Sequence, residues 1–214
     1  MGEAELIAAS QKGEIGAFNQ LVLAHEQVVY NLAYRMVSDP DAAADIAQDA
    51  FMSAFQAIRS FRGGSFKSWL LRITVNACYD YHRRRKRRPT DSLDQMQEAL
   101  CSDSVFIDHS DGPEDVALQR EMLEYIQQGL ARLPEEQRLV VILSDVQGLS
   151  YEEIAEVTRS SLGTVKSRLS RGRAHLRDFL LRQRELLPSS LRPKIRLAAS
   201  TADGTVDEEE GGLQ

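Results

Sequence analysis

The chain is predicted to be all-α: two small helical domains joined by an acidic flexible linker, the second containing a helix-turn-helix. Three observations lead to that class. Apolar residues recur at helical spacing along most of the 214 residues, and no stretch alternates convincingly with the period of a strand. Residues 89–113, rich in Asp, Ser, Gln and Gly, interrupt the pattern and read as a linker. Residues 150–173, SYEEIAEVTRSSLGTVKSRLSRGR, lay two short helices around a tight turn and load the second with Lys166, Arg168, Arg171 and Arg173.

The elements follow in order. Phe18, Leu21, Val22, Val28, Val29, Leu32, Ala33 and Met36 mark an amphipathic helix ended by Ser38-Asp39-Pro40. Asp39 is a candidate cap with Pro40 at the first helical position, where its missing N–H costs nothing. The helix it opens is expected to bury Ile46, Ala47, Ala50, Phe51, Ala54, Phe55 and Ile58, until Gly63-Gly64 breaks it. A third helix buries Phe66, Trp69, Leu70, Ile73 and Ala77 and runs into Arg-Arg-Arg-Lys-Arg-Arg at 83–88. Residues 1–88 thus form one domain. Periodicity resumes near Val116 through Leu118, Met122, Ile126 and Leu130, and Leu133-Pro134 opens a helix through Val140, Val141 and Leu143. Residues 114–184 form the second domain, and 185–214 a loose tail. Ser150 stands three positions before Glu153, the spacing of a capping box, and Leu162, Val165 and Leu169 recur on the inner side of the last helix. Its other face carries Thr164, Lys166, Ser167, Arg168, Arg171 and Arg173, side chains suited to phosphates and base edges in a major groove.

Charge is segregated. The net charge is −6, yet residues 159–184 hold eight Lys or Arg against one acid, whereas 89–116 hold eight Asp or Glu and no cation. Two basic surfaces joined by an acidic segment fit a nucleic-acid partner, and the overall negative field predicts weak DNA affinity for the free chain. The acidic segment fits a solubilising spacer. No apolar run reaches the ~18 residues that span a bilayer, and the amino terminus lacks a basic start, so no membrane insertion and a cytoplasmic location are expected. Cys78 and Cys101 form no CxxC pair, and His25, His82, His109 and His175 show no ligand spacing; no metal, cofactor, small-molecule substrate or catalysis is expected. A helical metal phosphohydrolase built on Asp45, Asp49 and His82 is therefore disfavoured.

The succession DAAADIAQDAF, FKSWLLRITVNACYDYHRRRKRR, acidic linker, LPEEQRLVVILSDVQGLSYEEIAEV and LGTVKSRLSRGRAHLRDFL resembles the extracytoplasmic-function (ECF) sigma factors over roughly residues 15–182. The resemblance implies a first domain that binds core RNA polymerase and the melted minus-ten element, and a second that reads the minus-thirty-five element as duplex. It places core binding on Asp45, Gln48, Asp49 and Met52. Minus-ten contacts fall on the loop 60–65 and the following helix, at Arg62, Gly63, Lys67, Arg72, Asn76, Asp80, Arg83 and Arg84. Minus-thirty-five contacts fall on Thr164, Lys166, Ser167, Arg168, Arg171 and Arg173. Promoter DNA, core polymerase and an anti-sigma factor are the implied partners. Asn76 and Asp80, four apart, fit a hydrogen-bonding role inside the domain nearly as well as a DNA contact. Phe61 and Phe66 fit either a base pocket or the core. The chain departs from the family at Thr158-Arg159-Ser160, where an apolar residue, a glycine and another apolar residue are usual; Arg159 is expected in a left-handed conformation. A helix-turn-helix regulator that acts without core polymerase is the alternative function.

Overall fold

A computed structural model of the protein describes residues 1–87 and 113–184. The acidic linker and the tail lie outside the described residues, as does Cys101. Eight α-helices make up the described regular structure: α1 Glu3–Gln11, α2 Ile15–Val37, α3 Pro40–Ala57, α4 Phe66–Arg87, α5 Pro113–Arg132, α6 Glu135–Val141, α7 Tyr151–Thr158 and α8 Leu162–Arg184. A 3₁₀ turn, Ile58–Ser60, ends α3, and a π-helical turn, Ile142–Val146, prolongs α6.

Local chemistry sets the boundaries. Asp39 accepts a hydrogen bond from the Ala42 N–H at 3.0 Å with Pro40 beginning α3, as expected. Ser150 and Glu153 close the capping box of α7 reciprocally, at 3.2 Å and 3.0 Å. Helix α1 was not foreseen: only Leu6 among its apolar side chains is buried, so no periodic stripe announces it, and its packing along α2 sustains it. The Gly2 N–H donates to the Glu5 carboxylate at 3.0 Å and closes its start.

The first three of these helices and the start of α4 enclose an apolar cluster of Phe18, Leu21, Val29, Ala50, Ala54, Phe61, Phe66 and Leu70. A second cluster does not respect the domain division. It runs from Leu32, Met36, Ile46, Leu71, Val75 and Cys78 of the first half into Leu130, Leu139, Val140, Leu143, Ile154, Val165 and Leu169 of the second. Helix α4 accordingly buries two faces. The stripe read from the sequence faces its own domain, and Leu71, Val75 and Cys78 face the other one. The Cys78 thiol is fully enclosed, and burial pushes its pKa up to about 12. Phe55 and Leu162, expected inside, are partly exposed; Phe55 packs at a tilt against Phe18 with centroids 5.0 Å apart.

Gly172 lets α8 lie against α6: a Cβ there would stand 2.7 Å from Val141 Cγ2 and 3.3 Å from the Gln137 carbonyl oxygen. That close approach fixes the depth at which α8 is seated.

Candidate nucleic-acid and polymerase interfaces

The helix-turn-helix forms as its capping chemistry dictates. Arg159 ends α7 at φ 51°, ψ 44°, the left-handed conformation expected of it. Ser160 does more than leave an apolar contact unmade: its hydroxyl lies 2.7 Å from that of Thr158, which in turn donates to the Ile154 carbonyl at 2.7 Å. The side chains at 158 and 160 thus tie the turn together. Ser161 accepts from the Thr164 N–H at 3.1 Å and opens α8.

Val165 and Leu169 seat α8, leaving Lys166 and Arg171 exposed, and no ion pair among the described residues holds either. The remaining candidates are engaged. Thr164 faces Ser161, and Ser167 donates to the Thr164 carbonyl at 3.0 Å. Arg168 pairs with Glu136 on α6. Arg173 grips Asp145 through two bonds of 3.1 Å and 2.5 Å; those bonds raise its pKa, keeping it charged. Both arginines brace α8 against α6 and the π-helical turn that prolongs it, a role that spacing alone does not disclose.

On α3, Ala43, Ile46, Ala47, Ala50 and Ala54 face inward, and Asp45, Gln48, Asp49 and Met52 form one solvent-facing strip. Met52 is 55% exposed, a large apolar side chain left among acids. A groove between α3 and α4 joins Asp49 and Met52 to Asn76, Asp80, Arg83 and Arg84. Asn76 and Asp80 are both exposed, and Asp80 pairs with Arg83, so neither is buried in the domain.

The loop after α3 turns through Gly63 and Gly64 at φ 99° and 89°, values that favour glycine, with open space where a Cβ would stand. Arg62 is exposed beside them. Phe61 and Phe66 are buried at 8% and 4% and pack edge-on at 5.7 Å with Trp69 beside them, so both rings belong to the core, with an edge of Phe61 lining the groove along Arg62, Gly63 and Gly64. His25 is largely covered, 5.3 Å from the Phe66 ring and 3.4 Å from a Glu3 oxygen. Lys67 and Ser68 reach across to the other domain. The Lys67 ammonium donates to the Gln147 carbonyl at 2.6 Å, and the Ser68 hydroxyl to Glu153 at 2.9 Å. His82 on α4 lies 3.9 Å from Glu135 on α6, and among the described residues there is no cluster of side chains that could hold a metal. No helix among them is long and apolar enough to cross a membrane.

Two helical halves, one with an exposed acidic strip and the other with a basic helix-turn-helix, define an initiation-factor architecture, and comparison with known proteins agrees. Residues 21–88 match the Sigma-70 region 2 family and residues 123–176 the Sigma-70 region 4 family. The chain is 35% identical to the RNA polymerase sigma-H factor of Pseudomonas aeruginosa over 201 residues, 91% of this chain and 96% of that one. It is 36% identical to the ECF RNA polymerase sigma-E factor of Escherichia coli K12 over 170 residues, 78% of this chain and 88% of that one. Among solved structures it resembles the sigma factor RpoE bound to the anti-sigma factor NepR from Bartonella quintana. That match has a TM-score of 0.60 and 31% identity, and covers 76% of this chain and 96% of that one. CnrH in complex with the cytosolic domain of CnrY is similar at TM-score 0.57 and 28% identity, covering 82% and 94%.

The chain belongs to the ECF sigma factors of the sigma-70 family. Its function is that of an initiation factor working with core RNA polymerase on promoter DNA, and this kinship does not favour a regulator acting without the polymerase.

Proposed function

We propose that the strip Asp45, Gln48, Asp49 and Met52 docks on a cationic surface of core polymerase, an acidic patch with one apolar anchor being suited to it. Residues 60–65 and the outer face of α4, from Arg62, Gly63 and Lys67 through Arg72, Asn76 and Asp80 to Arg83 and Arg84, hold the melted minus-ten strand. The glycines allow close backbone approach, and the cations give the strand an electrostatic track. Since Phe61 and Phe66 are core, an unstacked base would lie against the backbone of the loop and Arg62.

In the second domain, α8 reads the minus-thirty-five duplex. Lys166 and Arg171 supply the leading contacts, Thr164 and Ser167 lie beside them, and Arg168 and Arg173 hold the helix at its working angle through Glu136 and Asp145. The chain performs no catalysis of its own, acts in the cytoplasm where polymerase and promoter meet, and is restrained by an anti-sigma factor, as the similar RpoE is found bound to the anti-sigma factor NepR.

The observation that carries this reading is the capped α7 and left-handed turn that present α8 with Lys166 and Arg171 outward, in one chain with the exposed α3 strip. The test is run-off transcription with core enzyme and a promoter library. Discrete transcripts that require both core and this chain are expected, and none at any promoter would overturn the proposal.

A further inference from the structure

Helix α1, the element that apolar periodicity did not announce, fully buries only Leu6 and Ser10. What it delivers is one side chain. The amide of Gln11, its last residue, donates to the Ile58 carbonyl at 3.2 Å and to the Phe61 carbonyl at 2.9 Å, across 47 and 50 residues of chain. Those two carbonyls bracket the 3₁₀ turn from which the loop 60–65 departs. The Phe61 N–H donates to the same Ile58 carbonyl at 3.1 Å, and the Ser60 hydroxyl to the Ala57 carbonyl at 2.7 Å.

Gln11 is itself held in place. The Lys12 and Glu14 N–H groups return to the Ala9 carbonyl at 3.0 Å and 3.2 Å, and Gly13 at φ 97° turns the chain into α2. Ser10, 1% exposed, donates to the Leu6 carbonyl at 2.7 Å on the face that α1 buries. At the other end of α1, Glu3 stands 3.4 Å from His25, whose ring lies 5.3 Å from that of Phe66, the residue that opens α4 where the loop ends. Helix α1 thus reaches both ends of the loop. Between them Arg62, Gly63, Gly64 and Ser65 are exposed, with open space around both glycines. The loop has a fixed root and a compliant tip.

We propose that Gln11 is a positioning residue for strand capture: by bonding both carbonyls at the root it fixes the direction in which Arg62, Gly63 and Gly64 are presented. This rests on the assignment of the melted strand to loop 60–65 and α4. A carboxamide suits the task, since its two N–H donors serve one carbonyl each and it brings no charge to compete with Arg62 for phosphate. With its root held, the loop is ordered before a base arrives instead of by it, which lowers the entropic cost of capture. Gln11 acts through the backbone of residues 58–61.

Two variants of the full chain test this. Gln11→Met keeps the length of the side chain and removes both donors, and Gln11→Lys restores donors on a differently shaped stem. Each is assembled with core polymerase on a promoter recovered from the run-off library. A second template carries the same promoter with its minus-ten segment already open and one abasic site moved through the non-template strand position by position. For Gln11→Met the closed complex should form with parental affinity. Opening, followed by 2-aminopurine fluorescence, should slow roughly tenfold, the effect of about one net hydrogen bond. Binding to the open template should weaken, and the deficit should vanish at one abasic position, where no base remains to be captured. Gln11→Lys should recover most of the opening rate. Opening of Gln11→Met at the parental rate, a deficit that persists at every abasic position, or Gln11→Lys as slow as Gln11→Met overturns the positioning role. Gly63→Ala with Gly64→Ala, strained at these positive φ angles, separates the inference from the reading beneath it. If that pair slows opening and Gln11→Met does not, the loop assignment stands and the inference falls. If the pair opens DNA normally, both fall.

Discussion

Arg159→Gly tests the turn that orients the recognition helix. Arg159 occupies φ 51°, ψ 44°, where the Cβ of an L-residue crowds the following carbonyl at ~1–2 kcal/mol. Its side chain is exposed, and both its own N–H and that of Ser160 reach the Ala155 carbonyl, bonds that a glycine keeps. Against the relief stands the greater freedom of glycine in the unfolded chain, ~0.4–1 kcal/mol. The net is a stabilisation of about 0.5–1 kcal/mol, a rise in melting temperature of ~2–3 °C for a chain of this size. Scanning calorimetry of the purified variant measures it. Ser38→Gly serves as the control: Ser38 is also left-handed, at φ 57°, but its hydroxyl accepts from Gln127, and losing that bond at ~1 kcal/mol cancels the gain. A melting temperature that falls in Arg159→Gly would refute the strain, and an altered promoter preference would show that the arginine reads DNA.

Asp49→Arg should cost the fold no more than ~0.5 kcal/mol, being on an exposed helix face, yet reduce core association at least tenfold in a competition assay; parental competition would reduce the strip to a solvated face. Lys166→Ala and Arg171→Ala should each lower the salt slope of promoter binding by ~0.9 as one phosphate contact is lost. Arg168→Ala should mainly remove the brace to Glu136, worth ~0–1 kcal/mol of stability at its partly exposed site, so equal loss of DNA binding in all three would move Arg168 from brace to contact. His82 supplies a pH test. Burial holds its pKa below the ordinary 6.5 at the domain seam, against the opposing pull of Glu135 and with Arg138 and Lys86 also facing it. A group with a depressed folded pKa stabilises above its unfolded value and loses that contribution as pH falls through the folded one. Thermal stability should therefore drop on acidification below 6.5, more than in His82→Gln; parallel profiles would remove His82 from the seam.

Much of the molecule was legible because its signals are local. Asp39-Pro40, the Ser150–Glu153 box and the spacing of Val165 and Leu169 act within one or two turns of helix, so the order of residues alone specifies them. The left-handed Arg159 was legible for the same reason, a turn of fixed geometry lacking its glycine. The exposed strip on α3 followed from the inward alanines opposite it.

Tertiary structure decided what each surface has available to it. Leu71, Val75 and Cys78 fall off the stripe of α4 read from the sequence, and they belong to a core cluster that both domains share. Arg168 and Arg173 belong to the same basic run as Lys166 and Arg171, and what separates brace from contact is the position of Glu136 and Asp145 on another helix. The seating of α8 depends on Gly172 meeting Val141, and the covering of Lys67 and Ser68 on Gln147 and Glu153, which lie 80 and 85 residues further along the chain. Periodicity and capping are encoded within a few residues, whereas pairing of charges and burial of a second helix face depend on which distant segments arrive beside them.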